Sequence, residues 1–306
     1  MRAYIIRRLL QAVGVCLVVS MMSFFLLFLN TDPALILLPP EADVEDIEVF
    51  KEQMGLDRPV IIQYLDFLKK AVLHGDFGES FVAKVPAMRL IAERFPATLQ
   101  LTVAALIFVN VVAVTVGVIA AVRRYSFVDN AATFVALVGQ AMPLYWFGIM
   151  LIIIFGVWLQ WLPISGSGSW RHLILPGITL GSWIVPINMR LVRSGMLEVL
   201  NQDYIRTARA KGLTEKKVLF KHAFKNAAIS LVTVMGMQFG LLLGGAVVTE
   251  TVFAWPGLGR LAVDSIRMGD YPVVQAIVVV FALCVILANL AADVLAALID
   301  PRIRLS

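Results

Sequence analysis

The stretch 203–213, Asp203-Tyr204-Ile205-Arg206-Thr207-Ala208-Arg209-Ala210-Lys211-Gly212-Leu213, is polar and basic, yet it lies between two charge-free apolar segments at 173–189 and 226–249. Asp203 is placed to cap a helix whose first turn includes Tyr204 to Arg206, and Gly212 supplies a left-handed stop. Ala208 and Gly212, four residues apart, share a face on which a partner backbone or aromatic side chain could approach closely. Arg206, Arg209 and Lys211 put hydrogen-bond donors around that face. Thr214 and Glu215 then open a second helix, which carries Lys216, Lys217, Lys221 and Lys225. The simplest reading is a positive loop that fixes membrane topology. The run of alternating small and basic residues exceeds that need and predicts a docking surface on a protein driven from outside its own chain.

Composition supports the membrane setting. Of the 306 residues 60% are hydrophobic and 15% charged, with a mean hydropathy of +0.86, against about 45–50% apolar residues in soluble domains. Runs without Asp, Glu, Lys or Arg occupy 9–29, 98–122, 130–158, 173–189, 226–249 and 271–292. Most reach the roughly 20 residues that a helix needs to cross hydrocarbon. The sequence therefore predicts six spans, with the fourth shortest and carrying Pro176 and Pro186. The first run follows Arg2, Arg7 and Arg8 but is too long for a signal-peptide core, so it is expected to be a retained helix.

The net charge of +5 does not point to nucleic acid. If the N-terminus is inside, sixteen of the 26 basic residues lie on the inner side, only three fall in short outer loops, and seven lie in the long segment 30–97. This asymmetry predicts cytosolic N and C termini, with the basic charge facing inner-leaflet lipid. Cys16 and Cys284 lie within spans and predict no disulfide. His74, His172 and His222 are scattered without ligand spacing, so neither metal nor cofactor is expected. No phosphate-binding loop of the G-x-x-x-x-G-K-[ST] type and no catalytic triad pattern occurs, so any ATP hydrolysis must belong to another subunit.

The outer segment 30–97 holds twelve acidic residues against its seven basic ones. Helical spacing of Ile47, Phe50 and Met54, and of Val60, Tyr64, Phe67, Leu68 and Val72 after Pro59, predicts a small helical lobe, closed by a turn at Gly75-Asp76-Phe77-Gly78. Its charge fits either a solvated cap or a docking face for a periplasmic partner. Gln140, Pro143 and Gly148 predict a kinked or tilted third span. Trp158, Trp161 and Trp170 then form an interfacial belt. In 250–272, ETVFAWPGLGRLAVDSIRMGDYP, Pro256 is expected in the first turn of a short amphipathic helix with an apolar face of Leu258, Leu261, Ala262 and Ile266, and Gly269 at its stop. Trp255, Pro256 and Gly257 would form an outer lip if that helix dips toward the pathway, and would otherwise lie on the interface. Asn188 and Gln238 are candidate pathway liners or interhelical partners. Asp293 is expected to pair with Arg302 near the inner interface.

Longer strings carry a resemblance: the early Arg pair, MGLDRPVIIQY, GDFGES, FPATLQLT, DYIRTARAKGL, HAFKNAAI, GGAVVTETVFAWPGLGRL, DYP and IDPRIR. Over nearly its whole length the chain resembles the inner-membrane permeases of binding-protein-dependent ABC importers of the dipeptide, oligopeptide, nickel and glutathione group. PEADVEDIE and SWRHLILPGITLG look most similar to the glutathione branch. The resemblance implies an all-α, type I permease of six transmembrane helices in a bacterial inner membrane. It implies a first helix within 1–29, a periplasmic lobe at 30–97, a core at 98–299 with a coupling loop at 194–229, and a tail at 300–306. It also implies a second homologous permease, two cytosolic ATPases docking on Asp203, Tyr204, Arg206, Thr207, Ala208, Arg209, Ala210, Lys211, Gly212 and Leu213, and a periplasmic substrate-binding protein. Two departures stand out. Leu29-Asn30-Thr31-Asp32-Pro33 replaces the family's Pro-Gly-Asp-Pro turn, and Asp203-Tyr204 stands where Glu-Ala-Ala is common. The rival class, a secondary transporter or channel working alone, predicts ionisable residues at mid-membrane depth, and the spans offer almost none.

Overall fold

The computed structural model describes residues 2–30, 38 and 43–299. The turn at 31–33, the tail 300–306 and Arg302 lie outside them. In chain order the elements are α1 (Arg2–Asn30), α2 (Val44–Met54), α3 (Val60–His74), α4 (Ala87–Val122), α5 (Phe127–Ala141), and α6 (Leu144–Leu151) prolonged by π-helical turns (Ile152–Trp158). They continue with α7 (Arg171–Gly181), α8 (Val185–Leu200), α9 (Asp203–Ala210), α10 (Glu215–Lys217) prolonged by a second π-helical stretch (Val218–Phe224), α11 (Lys225–Val252), α12 (Leu258–Arg267) and α13 (Tyr271–Ile299). The β pairing among the described residues is one isolated bridge, Glu79 to Pro86. The fold is all-α.

Among the described residues four helices, α1, α4, α11 and α13, are long and apolar enough to cross a membrane unbroken. The third and fourth spans are bent pairs, so the count reaches six only when each pair is one span. Helices α5 and α6 meet at 109°, and α7 and α8 at 68°. The first bend follows from Pro143, which has no N–H to donate and holds Met142 in an extended conformation (φ −78°, ψ 134°). In the second, Pro186 stands in the first turn of α8, where a missing N–H costs least. The expected kink of the third span is thus a sharp break.

The described residues form two compact units, one of residues 99–255 and 287–299, the other of 2–30, 38, 43–98 and 256–286. In the first, small residues let backbones meet. A Cβ on Gly117 would lie 2.9 Å from the Met189 carbonyl and from Val192 of α8, and one on Gly236 of α11 would lie 1.8 Å from the Ala292 side chain of α13. Val118, Ala121, Val192, Met196, Ile205, Ala208, Val218, Ala223, Ala227 and Leu231 form a buried apolar cluster there.

The second unit joins α1, the 43–98 segment, α12 and the start of α13, so the outer lobe does not stand alone. Phe24, Tyr64, Phe67 and Phe77 form a chain of ring contacts. Gln275 donates to the Ser20 carbonyl at 2.7 Å, and the Asp270 carboxylate accepts from the Ser80 hydroxyl and from Phe81 N–H (2.9 Å). Pro59 does stand at the start of α3, and Gly75 and Gly78 are left-handed in the expected turn. Val72, however, is exposed, so the buried stripe of α3 ends before it.

Candidate functional site

The loop joining the fourth and fifth spans is built around α9. Its N-cap is Gln202, in extended conformation. This corrects the expectation that Asp203 caps the helix. Asp203 is the first helical residue, where its charge favours the positive end of the helix dipole, and it sits 3.6 Å from Arg206. Thr207 folds its hydroxyl back to the Asp203 carbonyl at 3.0 Å. The helix ends as expected. Lys211 is the C-cap, and Gly212 is left-handed at φ +75°, a backbone that a β-branched residue adopts only with strain. Leu213 N–H closes the turn onto the Ala208 carbonyl at 3.4 Å.

A second correction concerns Ala208. Its side chain is buried with Ile205 in the apolar cluster, against Val118, Val192, Met196 and Val218, and Leu213 packs on the same cluster. Ala208 therefore faces the chain's own core and not a partner, while Gly212, with nothing within 4 Å of its would-be Cβ, stands in open space. The two do not share one contact face, because the helix stops at Ala210, before the i+4 relation reaches Gly212. Tyr204, Arg206, Thr207, Arg209, Ala210 and Lys211 are exposed.

Two polar contacts brace the loop. Arg209 makes a bidentate pair with Glu215 at 3.2 and 2.7 Å, closing α9 onto α10. That hydrogen bonding holds the Glu215 carboxyl below its ordinary range and raises the Arg209 guanidinium further. Asn226 donates to the Tyr204 hydroxyl at 2.8 Å. Thr214 and Glu215 do open the next helix: Thr214 is the extended N-cap of α10, without a capping bond from its side chain.

Behind the loop, Asn188 and Gln238 are both buried and pair with each other through reciprocal amide bonds, the Asn188 to Gln238 bond measuring 3.0 Å. Each satisfies the other, which is the interhelical role and not that of an open pathway liner in this conformation. Reading the sequence missed another polar contact of α8. Arg193 of α8 grips Asp129 of α5 at 2.8 and 2.7 Å, and Asp129 also accepts from Tyr125 N–H at 3.0 Å. One signal was present. Ser126 caps α5 by accepting from Asp129 N–H at 3.3 Å, and Ser-x-x-Asp is a capping-box spacing.

At the outer-lip residues, Trp255 is buried and its N–H donates to the Glu250 carbonyl at 2.8 Å. Gly257 is the N-cap of α12, which places Pro256 before the cap and not in the first turn. Gly269 is the left-handed stop as expected. Leu258, Leu261 and Ala262 form the inward face of α12, but Ile266 is exposed and its place is taken by buried Ser265.

Comparison with known proteins agrees with this architecture. Residues 1–102 match the family model of the N-terminal part of binding-protein-dependent transport system membrane components, and 113–305 match that of the inner membrane component itself. The chain is 45% identical over 302 residues, 98% of each chain, to the glutathione transport system permease protein GsiC of Escherichia coli strain K12. The same values hold for GsiC of Salmonella choleraesuis strain SC-B67. Inward facing structures of the MetNI methionine ABC transporter share the fold. The native crystal form has a TM-score of 0.59 at 22% identity, covering 70% of this chain and 97% of that one. The selenomethionine-soaked form has a TM-score of 0.60 at 20% identity, with the same coverage. With both family models matched and relatives similar from end to end, the chain belongs to the family of binding-protein-dependent transport system inner membrane components and is a multi-pass inner-membrane permease of an ABC importer.

Proposed function

We propose that this permease pairs with a second, homologous permease to enclose the route of a peptide-like solute, with glutathione the first candidate. Support for the solute comes from end-to-end similarity to the glutathione permeases. The exposed residues of 203–213 dock on a cytosolic ATPase, and their displacement tilts the fourth and fifth spans so that the cavity alternates between inward and outward access. A substrate-binding protein delivers solute on the opposite side. The termini lie in the cytosol, and the lobe of residues 30–97 and the lip at Trp255, Pro256 and Gly257 face the periplasm. The chain itself hydrolyses no ATP, because it has no phosphate-binding loop.

One observation carries the coupling reading: α9 is fastened to the core by Ile205 and Ala208 while Tyr204, Arg206, Thr207, Ala210 and Lys211 stand exposed. A loop that only fixed topology would not need this mount. The test is uptake of tritiated glutathione into proteoliposomes holding the permease pair, with and without the cytosolic ABC ATPases. Uptake is expected only with ATPases, binding protein and ATP together. Uptake by the permeases alone would establish the stand-alone transporter instead.

A further inference from the structure

Helix α5 is held to the rest of its unit in an unusual way. Asp129 is its sole buried residue, and Phe134, Val135 and Leu137 are all exposed. Two arginines of α8 reach it. Arg193 makes the bidentate pair with Asp129, and Arg190 lies 3.4 Å from the Gln140 amide oxygen near the other end of α5. The other sides of α8 are closely engaged, by Gly117 of α4 against Met189 and Val192, by Gln238 of α11 against Asn188, and by Ala227 of α11 against Gly195. After Asn201 and Gln202, the chain leaving α8 enters α9.

We propose that the Asp129–Arg193 pair is a transmission joint, through which displacement of the 203–213 loop turns α8 and is imposed on α5 and the bent third span. The inference rests on the coupling reading of that loop. Two parallel N–H to carboxylate bonds fix orientation as well as distance, whereas an apolar contact allows one helix to slide on another. An ion pair whose carboxylate is buried and whose guanidinium stays partly exposed adds little net stability, because the cost of taking the carboxylate out of water offsets much of the attraction. Its value here is therefore directional. Tyr125 N–H and the Ser126 cap hold the Asp129 end rigid, so a turn of α8 moves the start of α5 and not merely a side chain. Asp129 and Arg193 are positioning residues and touch no solute in this scheme.

The test uses the full assembly in proteoliposomes, with solute uptake and ATP hydrolysis measured on one preparation, using tritiated glutathione and a dipeptide panel as probes. The double variant Asp129→Ala with Arg193→Met leaves no orphan charge. It is expected to co-purify with the ATPases and hydrolyse ATP while uptake per ATP falls about tenfold, within the usual span of coupling between sites. Arg193→Lys keeps the charge but loses the fork, and it should assemble normally with an intermediate ratio. Wild-type uptake per ATP in the double variant overturns the joint, since a purely structural pair would be replaced by two neutral side chains without loss of coupling. If the double variant does not assemble, Arg193→Lys decides: a reduced ratio supports the joint and a wild-type ratio overturns it. The paired variant Arg206→Glu with Lys211→Glu separates the two readings. Wild-type ATPase co-purification and uptake in it would remove the coupling loop itself, whatever the joint does.

Discussion

Helices α9 and α5 both depend on α8, and they are attached to it by opposite means. Helix α9 buries Ile205 and Ala208 in an apolar cluster and keeps its ion pair with Glu215 at the surface. Helix α5 buries its aspartate and leaves its apolar side chains exposed. Burial of apolar area is strong and non-directional, while a forked ion pair is weak in net terms and directional. The loop is thus mounted for stability, and α5 is mounted for alignment.

The comparison breaks first, and most severely, at Ile205. Ile205→Ala removes a fully buried side chain from the loop mount and should cost about 2–5 kcal/mol. Phe134→Ala on α5, where the ring is 67% exposed, should stay within about 0.5 kcal/mol in detergent. Thermal unfolding of the solubilised permease compares them, and equal shifts would mean that the apolar mount of α9 has been misread. Next comes Ala208→Leu, which forces extra volume into the same cluster and should cost about 1–3 kcal/mol. Its neighbour Ala210→Leu, on the exposed side, should leave the melting temperature unchanged and weaken ATPase co-purification. If Ala208→Leu melts like the wild type, its side chain is not held in the core.

The polar pair Asn188 and Gln238 gives a smaller effect. Asn188→Leu strands the Gln238 amide and should cost about 1–2 kcal/mol, much of it recovered when Gln238→Leu is added. Absence of recovery would show that the two amides do not depend on each other. The smallest expected effect is at Arg209, because its pair with Glu215 has side chains 45% and 54% exposed. Solvent screening keeps the loss in Arg209→Ala below about 1 kcal/mol. The Glu215 carboxyl is lowered by this pair. The contribution is therefore complete above the carboxyl's unfolded value and disappears as pH falls through its lower folded value. Melting curves of wild type and Arg209→Ala should converge in acid, and a constant gap down to full protonation would exclude the pair as its source.

Much of the architecture was legible in the sequence, since charge-free runs mark spans wherever hydrocarbon penalises charge. The left-handed stops at Gly212 and Gly269 were legible for an equally local reason. Helical period shows which residues share a face but not which face turns inward, and the reading of Ala208 failed there. The direction was nevertheless foreshadowed by Ile205, an isoleucine among polar residues. Pro143 foretold a kink, but its 109° angle depends on how the following turns pack. The Asp129–Arg193 pair spans 64 positions. In sequence, both charges simply look like the ends of spans.

The crossing of α11 and α13 sets a limit on movement. A single added methyl at Gly236 would fall 1.8 Å from the Ala292 Cβ and 3.1 Å from its Cα. With backbones already in van der Waals reach at that point, the helices cannot press closer. Rotation about the crossing costs less than pulling it apart, because separation sacrifices every dispersion contact around it. If the fifth span tilts as proposed, the place where it can least change its distance from α13 is Gly236, so its two ends would swing in opposite directions about that point.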